Sequence, residues 1–245
     1  LFITEDINPT DFVAGKFQHQ SSQGNIKGVQ LDDHFYQTGL DLMYGSKQRT
    51  LAWKAEMGYQ NQVYNWYGLP VYFGNNLSLQ DQSQLVNGID PQQSYHNFNL
   101  GGNLTLNESF IDKVSLKYNR FWDAYGSEEN RFYIKPTLGF DIAQNRIKTN
   151  FTVDYLSSKF ENSFPRDFND MPTQKLGMEN SYLIISANPN YQLIKDDLTL
   201  NLGAEVTFLS TLQNKIYGQK GDTESSVFVY PKVTASLRVV GDLMV

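Results

Sequence analysis

Apolar and polar residues alternate along most of this chain with a period of two. Between 198 and 208, Leu198, Leu200, Leu202, Ala204, Val206 and Phe208 share one parity. Thr199, Asn201, Gly203, Glu205 and Thr207 share the other. On a helix these sets would smear around the axis, whereas on a strand they separate into two faces. The same split recurs at 51–63, 94–106, 114–123, 132–142 and 147–157. It also holds at 35–44, 182–193 and 227–239, and weakly at 12–20. The pattern therefore predicts about ten strands.

The connections carry a second signal. Short turns are predicted at Gly45–Arg49, Asn107–Asp112, Ala143–Arg146, Lys195–Asp197 and Gly241–Asp242. Longer connections are predicted at 21–33, 68–93, 124–130, 161–180 and 211–226, so short and long alternate strictly. A barrel threaded back and forth through a membrane sorts its connections in this way. Aromatic residues crowd the long-connection ends, and Tyr36, Tyr64, Trp66, Trp122, Tyr133 and Tyr230 read as a girdle at one membrane–water boundary.

The expected fold class is all-β: a transmembrane antiparallel up-and-down β-barrel. Residues 1–245 form a partial barrel domain. The chain closes on SLRVVGDLMV, a strand, a tight turn and the start of another strand. An open edge in lipid leaves backbone groups unpaired at several kcal/mol each. Further strands are expected after Val245, with room for others before Leu1, in a barrel of roughly 14 to 22 strands.

Composition narrows the classes. No run approaches the roughly 18 apolar residues of a membrane helix, and the mean hydropathy of -0.46 fits strands whose faces average out. The absence of cysteine removes disulfides, thiolate metal sites and a cysteine nucleophile. A net charge of -6 argues against a nucleic-acid partner. The opening LFITEDINPTDF has neither a basic n-region nor an apolar h-region, so it does not read as an export signal.

The polar parity predicts a lumen lining of Asp41, Lys54, Glu56, Lys117, Asp123, Lys135, Asp141, Lys148, Asp154, Glu205, Lys232 and Arg238. The signs are mixed, which suggests internal ion pairs or a polar plug rather than an ion-selective ring. A simply hydrated wall accounts for any single member. Pro136, Pro189 and Pro231 fall on the apolar parity inside predicted strands, where bulges or pairing defects near the loop side are expected. Arg120 shares that parity and lies near a loop end, within snorkelling reach of the interface.

No catalytic constellation is visible. His19, His34 and His96 are dispersed, and no H-E-x-x-H, G-x-S-x-G or P-loop occurs. Asp32, Asp33 and His34 cluster in a predicted loop, where a solvated turn is the ordinary reading of such residues. Neither an enzyme nor a cofactor or metal site is expected.

Two stretches, KAEMGYQNQVYNWYGLP at 54–70 and VFVYPKVTASLRVVGDLMV at 227–245, together with the Asn/Tyr-rich strands between them, resemble TonB-dependent-receptor-like barrels of Bacteroidota outer membranes. The plug and TonB box of that family are not seen here. The resemblance implies a location in the bacterial outer membrane and nutrient uptake across it. It implies contact with the lipid bilayer and lipopolysaccharide, and with other envelope proteins or a surface lipoprotein. Two alternatives stay open: an accessory or scaffolding barrel subunit of a machine for insertion, secretion or lipoprotein handling, and a passive porin.

Overall fold

The period-two segments become strands because each can hydrogen-bond to its sequence neighbour through a short turn while keeping its apolar parity on one side. The computed structural model describes residues 1–66, 68–70, 72–142, 145–163, 176–213, 221–240 and 243–244. It contains β1 (Phe2–Asp6), β2 (Asp11–Ser22), β3 (Phe35–Lys47), β4 (Leu51–Asn65), α1 (Leu79–Asn87), β5 (Gln92–Leu106) and β6 (Ile111–Asp123). These are followed by β7 (Glu128–Ile142), β8 (Asn145–Ser163), β9 (Leu176–Lys195), β10 (Leu198–Gln213), β11 (Asp222–Val240) and β12 (Leu243–Met244). The strands form one twelve-stranded sheet in sequence order, and every neighbouring pair is antiparallel. No pairing joins β1 to β12 among the described residues.

All ten expected strands are present, most of them longer than the alternation alone marked. Two short ones, β1 and β12, flank them. Only the second had a counterpart in the sequence reading, as the strand beginning after Gly241–Asp242. One expected long connection is instead tight. Residues 124–127 close a short turn in which the Asp123 carboxylate accepts from the Tyr125 and Ser127 N–H groups at 2.8 Å. Glu128–Arg131 are drawn into β7 because they pair with Trp122, Phe121, Arg120 and Asn119 of β6. The strict alternation of connection lengths therefore breaks at this point. The turn residues Ala143, Gln144, Gly241 and Asp242, and the spans 164–175 and 214–220 of the last two long connections, lie outside the described residues.

The connection between β4 and β5 carries α1. Ser78 caps it, accepting from the Asp81 N–H at 3.1 Å, and Gly88 ends it. This connection binds the one between β2 and β3. Val29 bridges Pro70, Gln30 N–H donates to the Leu69 carbonyl at 3.0 Å, and the Gln30 side chain donates to Pro70 O at 2.8 Å. Asn65, 5% exposed, donates its amide to the His34 carbonyl at 2.8 Å. Asn65→Ala is expected to release the 23–34 segment, read as several-fold faster protease nicking there with the strands left intact.

Two of the three prolines interrupt the ladder without shifting its register. β7–β8 pairing skips from Ile134/Val153 to Thr137/Asn150, and β9–β10 pairing skips from Gly203/Asn190 to Val206/Ala187. Pro231 keeps its place opposite Ala204. All three lie well inside their strands rather than near the loops. A missing N–H opens the ladder on one side only, so the partner strands carry straight on. Beside the Pro189 gap, a Cβ at Gly203 would lie 2.9 Å from the Pro189 carbonyl oxygen, whereas nothing lies within 4 Å of one at Gly39. Gly203→Ala is expected to cost about 1 kcal/mol, and Gly39→Ala to be neutral or slightly stabilising because it removes strand-glycine entropy. Chemical-unfolding midpoints of the two variants check this.

The described residues form no apolar core of their own. Among the described residues Val63 alone is a buried hydrophobic side chain, at 2% exposure. Most exposed apolar residues of the long strands instead stand on one face of the sheet, from Leu40 and Leu42 through Met57, Leu100 and Phe132 to Ile185, Leu202, Val206 and Val229, while Phe35, Ile194 and Phe228 stand exposed on the other. On that face the apolar runs Leu51–Tyr59, Leu183–Leu193, Leu198–Phe208 and Val227–Leu237 stop where polar residues take over, such as Asn61, Ser181 and Ser225.

Candidate functional site: the polar face

Directly paired residues share a face, so the register follows a face from strand to strand. It places all twelve predicted lining positions on the side opposite the apolar face. Arg238 belongs there by backbone register, and its side chain lies outside the described residues.

Several of these charges neutralise one another. Lys54 Nζ meets Glu56 Oε2 at 3.2 Å, and Lys232 Nζ meets Glu205 Oε2 at 3.3 Å. Glu205 also accepts from Asn188 at 3.1 Å. The irregularity between Ile111 and Lys113 puts Asp112 at 3.8 Å from Lys148. Asp154, 6% exposed, holds the Arg131 guanidinium by two bonds, from Nε at 2.9 Å and from the terminal nitrogen at 2.6 Å. Asp41 lies opposite Lys16, with its carboxylate over the space left by Gly58. Asp123 caps the 124–127 turn. Lys117, Lys135 and Asp141 share the same face.

Arg131 was missed in the sequence because the strand was begun at Phe132. Extending the parity by one residue pair would have placed Arg131 beside Tyr133 and Lys135. A second missed feature lies at the long-connection end of the same face. Tyr64 and Tyr95 join their hydroxyls at 3.0 Å with ring centroids 5.5 Å apart, and Phe121 stacks on Tyr95 at 5.6 Å. Gln60, Gln62 and Asn97 line a cavity of about 230 Å³ against Tyr95 and Phe121. Ring faces beside uncharged amides suit a neutral polar solute better than an ion.

The six girdle residues divide. Tyr36 and Trp122 lie on the apolar face, while Tyr64, Tyr133 and Tyr230 lie on the polar face. Trp66 sits just beyond β4, 62% exposed. On the apolar face a further aromatic pair, Tyr44 and Trp53 with centroids 5.4 Å apart, marks the short-turn side.

The Asp32–Asp33–His34 cluster is a turn-forming network. Asp33 accepts from the Asn25 and Ile26 N–H groups at 2.9 and 2.6 Å, and His34 Nδ1 pairs with Asp32 at 2.8 Å. That contact with His34 holds the Asp32 carboxyl below its ordinary range. No group of three side chains able to hold a metal occurs among the described residues. Comparison with known protein families, with curated proteins and with solved structures yields no match.

Proposed function

We propose that this sheet is part of the wall of a bacterial outer-membrane β-barrel. Its apolar face meets lipid, its polar face meets a wet interior, and the barrel serves nutrient uptake across the membrane. The exposed apolar face carries the reading. A soluble protein seldom leaves a contiguous apolar patch of more than a few hundred Å² in water, and here every long strand except β6, whose apolar side chains are half-buried, contributes exposed apolar residues to one. Runs such as Leu51–Tyr59 and Val227–Leu237 match the roughly 9–11 residues with which a tilted strand crosses a bilayer. The opposite face, with its ion pairs and amides, is what a hydrated lumen tolerates.

Uptake is the reading favoured by the family resemblance and by the Tyr64–Tyr95–Phe121 ledge, which offers contacts to an uncharged solute. Heat-modifiable migration on gels and insertion into vesicles test the membrane assignment; a chain that stays water-soluble and unshifted would end it. In planar bilayers the mixed-sign lining predicts little cation or anion preference in any open state.

One observation favours the accessory-subunit reading. Trp66, Tyr72, Leu79 and Leu85, on the connection that carries α1, are exposed apolar side chains beyond the strand ends. Stable co-purification with another envelope protein, together with silence in planar bilayers, would select that reading over uptake or a passive porin.

A further inference from the structure

The apolar face ends, at its long-connection side, in a built polar cluster. The His96 ring stacks on Trp122 with centroids 5.0 Å apart and planes 10° apart, and Tyr59 follows at 6.1 Å from His96. Both ring nitrogens of His96 are engaged. Nδ1 meets the Tyr59 hydroxyl at 2.8 Å and the Asn61 amide at 3.1 Å, and Nε2 meets Ser94 Oγ at 3.1 Å. This ladder is therefore fixed in place. Arg120 lies over its outer end, 5.4 Å from the Trp122 ring centroid. Its side chain is 48% exposed.

Arg120 is under-used by the protein. A guanidinium carries five N–H donors. Among the described residues its one acidic partner is Glu128, at 3.5 Å, longer than the roughly 2.7–2.9 Å of a good charge-assisted bond. No other protein acceptor meets it among the described residues. Directly below, on the same face, lie exposed Leu100 and Phe132.

We infer that Arg120, set on the Trp122–His96 ladder, binds the phosphate of an outer-leaflet lipid headgroup. The inference rests on the membrane reading above and names a ligand for its boundary. The planar fork suits two phosphate oxygens at once. A phosphate held there lays the acyl chains along Leu100 and Phe132. Trp122 packs its apolar ring against the headgroup's first carbons, as interfacial tryptophans do. Glu128 competes for the same donors.

The test is lipid retention by the full chain, reconstituted in mixed vesicles, extracted and weighed by native mass spectrometry. The probes are diphosphorylated lipid A, dephosphorylated lipid A, phosphatidylglycerol and phosphatidylcholine. Phosphate-bearing anionic lipids are expected to be retained several-fold over the other two. Arg120→Gln should lower that retention several-fold, to the level of the other two lipids, and Glu128→Gln should raise it. Preference for lipid A over phosphatidylglycerol assigns the phosphate to a glycolipid, and the reverse preference assigns it to a phospholipid. Equal retention of dephosphorylated and phosphorylated lipid A overturns the inference. So does an Arg120→Gln protein that migrates as folded yet retains both anionic lipids like the wild type. A protein that inserts into none of the vesicles overturns the membrane reading itself, which is a separate and visible failure.

Discussion

Leu202→Arg is expected to destabilise the membrane-inserted protein by about 2–4 kcal/mol, the depth-dependent cost of a lipid-facing charge near the midplane of a barrel. Leu202 is 41% exposed on the apolar face, in the middle of the run Leu198–Phe208. It is flanked by Tyr191 of β9 and Val233 of β11, neither of which offers a counter-charge. Thr207→Arg, on the same strand but the opposite face, is expected to change stability by less than about 0.5 kcal/mol, because its side chain reaches water. Glu205 stands two residues away on that face. Unfolding by denaturant from vesicles measures both. The contrast between the faces is the informative quantity, since a general intolerance of β10 to arginine would move both variants together.

The second large effect is expected at the Arg131–Asp154 pair. Asp154 is 6% exposed, while the Arg131 side chain is 45% exposed. Removing one partner of a fully buried pair costs about 3–5 kcal/mol, because the other charge is left without compensation. Here the penalty falls unequally. Arg131→Met strands the buried carboxylate and is expected to cost about 2 kcal/mol, reduced from the buried value by water on the arginine side. Asp154→Asn leaves a guanidinium already half in solvent and is expected to cost about 1 kcal/mol. The double variant should be less destabilised than the sum of the two, as a double-mutant cycle would show. Equal costs for the two single changes would mean that the burial asymmetry does not govern the pair.

Much of this architecture was legible because a face in a sheet is a parity in the sequence. Leu198 to Phe208 needed only counting by two, and the register carries that parity from β3 to β11, apart from the shifts at Ile111–Lys113 and Phe160–Ser163. The parts that escaped depend on contacts rather than on period. β1 is short, and its alternation over Phe2–Asp6 is too brief to stand out. The turn at 124–127 looked long because Glu128, Glu129 and Asn130 are polar on both parities, and only pairing with β6 makes them strand. Helix α1 did carry a local signal, Ser78 followed three residues later by Asp81, inside a connection read as irregular. The partners of the lining charges, Arg131 for Asp154 and Asp112 for Lys148, depend on cross-strand register and on an irregularity in β6. A single strand read alone does not reveal these.

The most direct test of the central claim is the environment of each face, residue by residue. The chain has no cysteine, so a single one can be placed at will. Nitroxide labels at successive positions from 198 to 208, in the reconstituted protein, report accessibility to oxygen dissolved in lipid and to a water-soluble nickel chelate. The account predicts a period-two alternation, with Leu200, Leu202 and Val206 open to oxygen and closed to nickel, and Asn201, Gly203 and Thr207 the reverse. It would be contradicted by nickel reaching both parities, or by an apolar parity closed to both reagents, as in a face buried against protein.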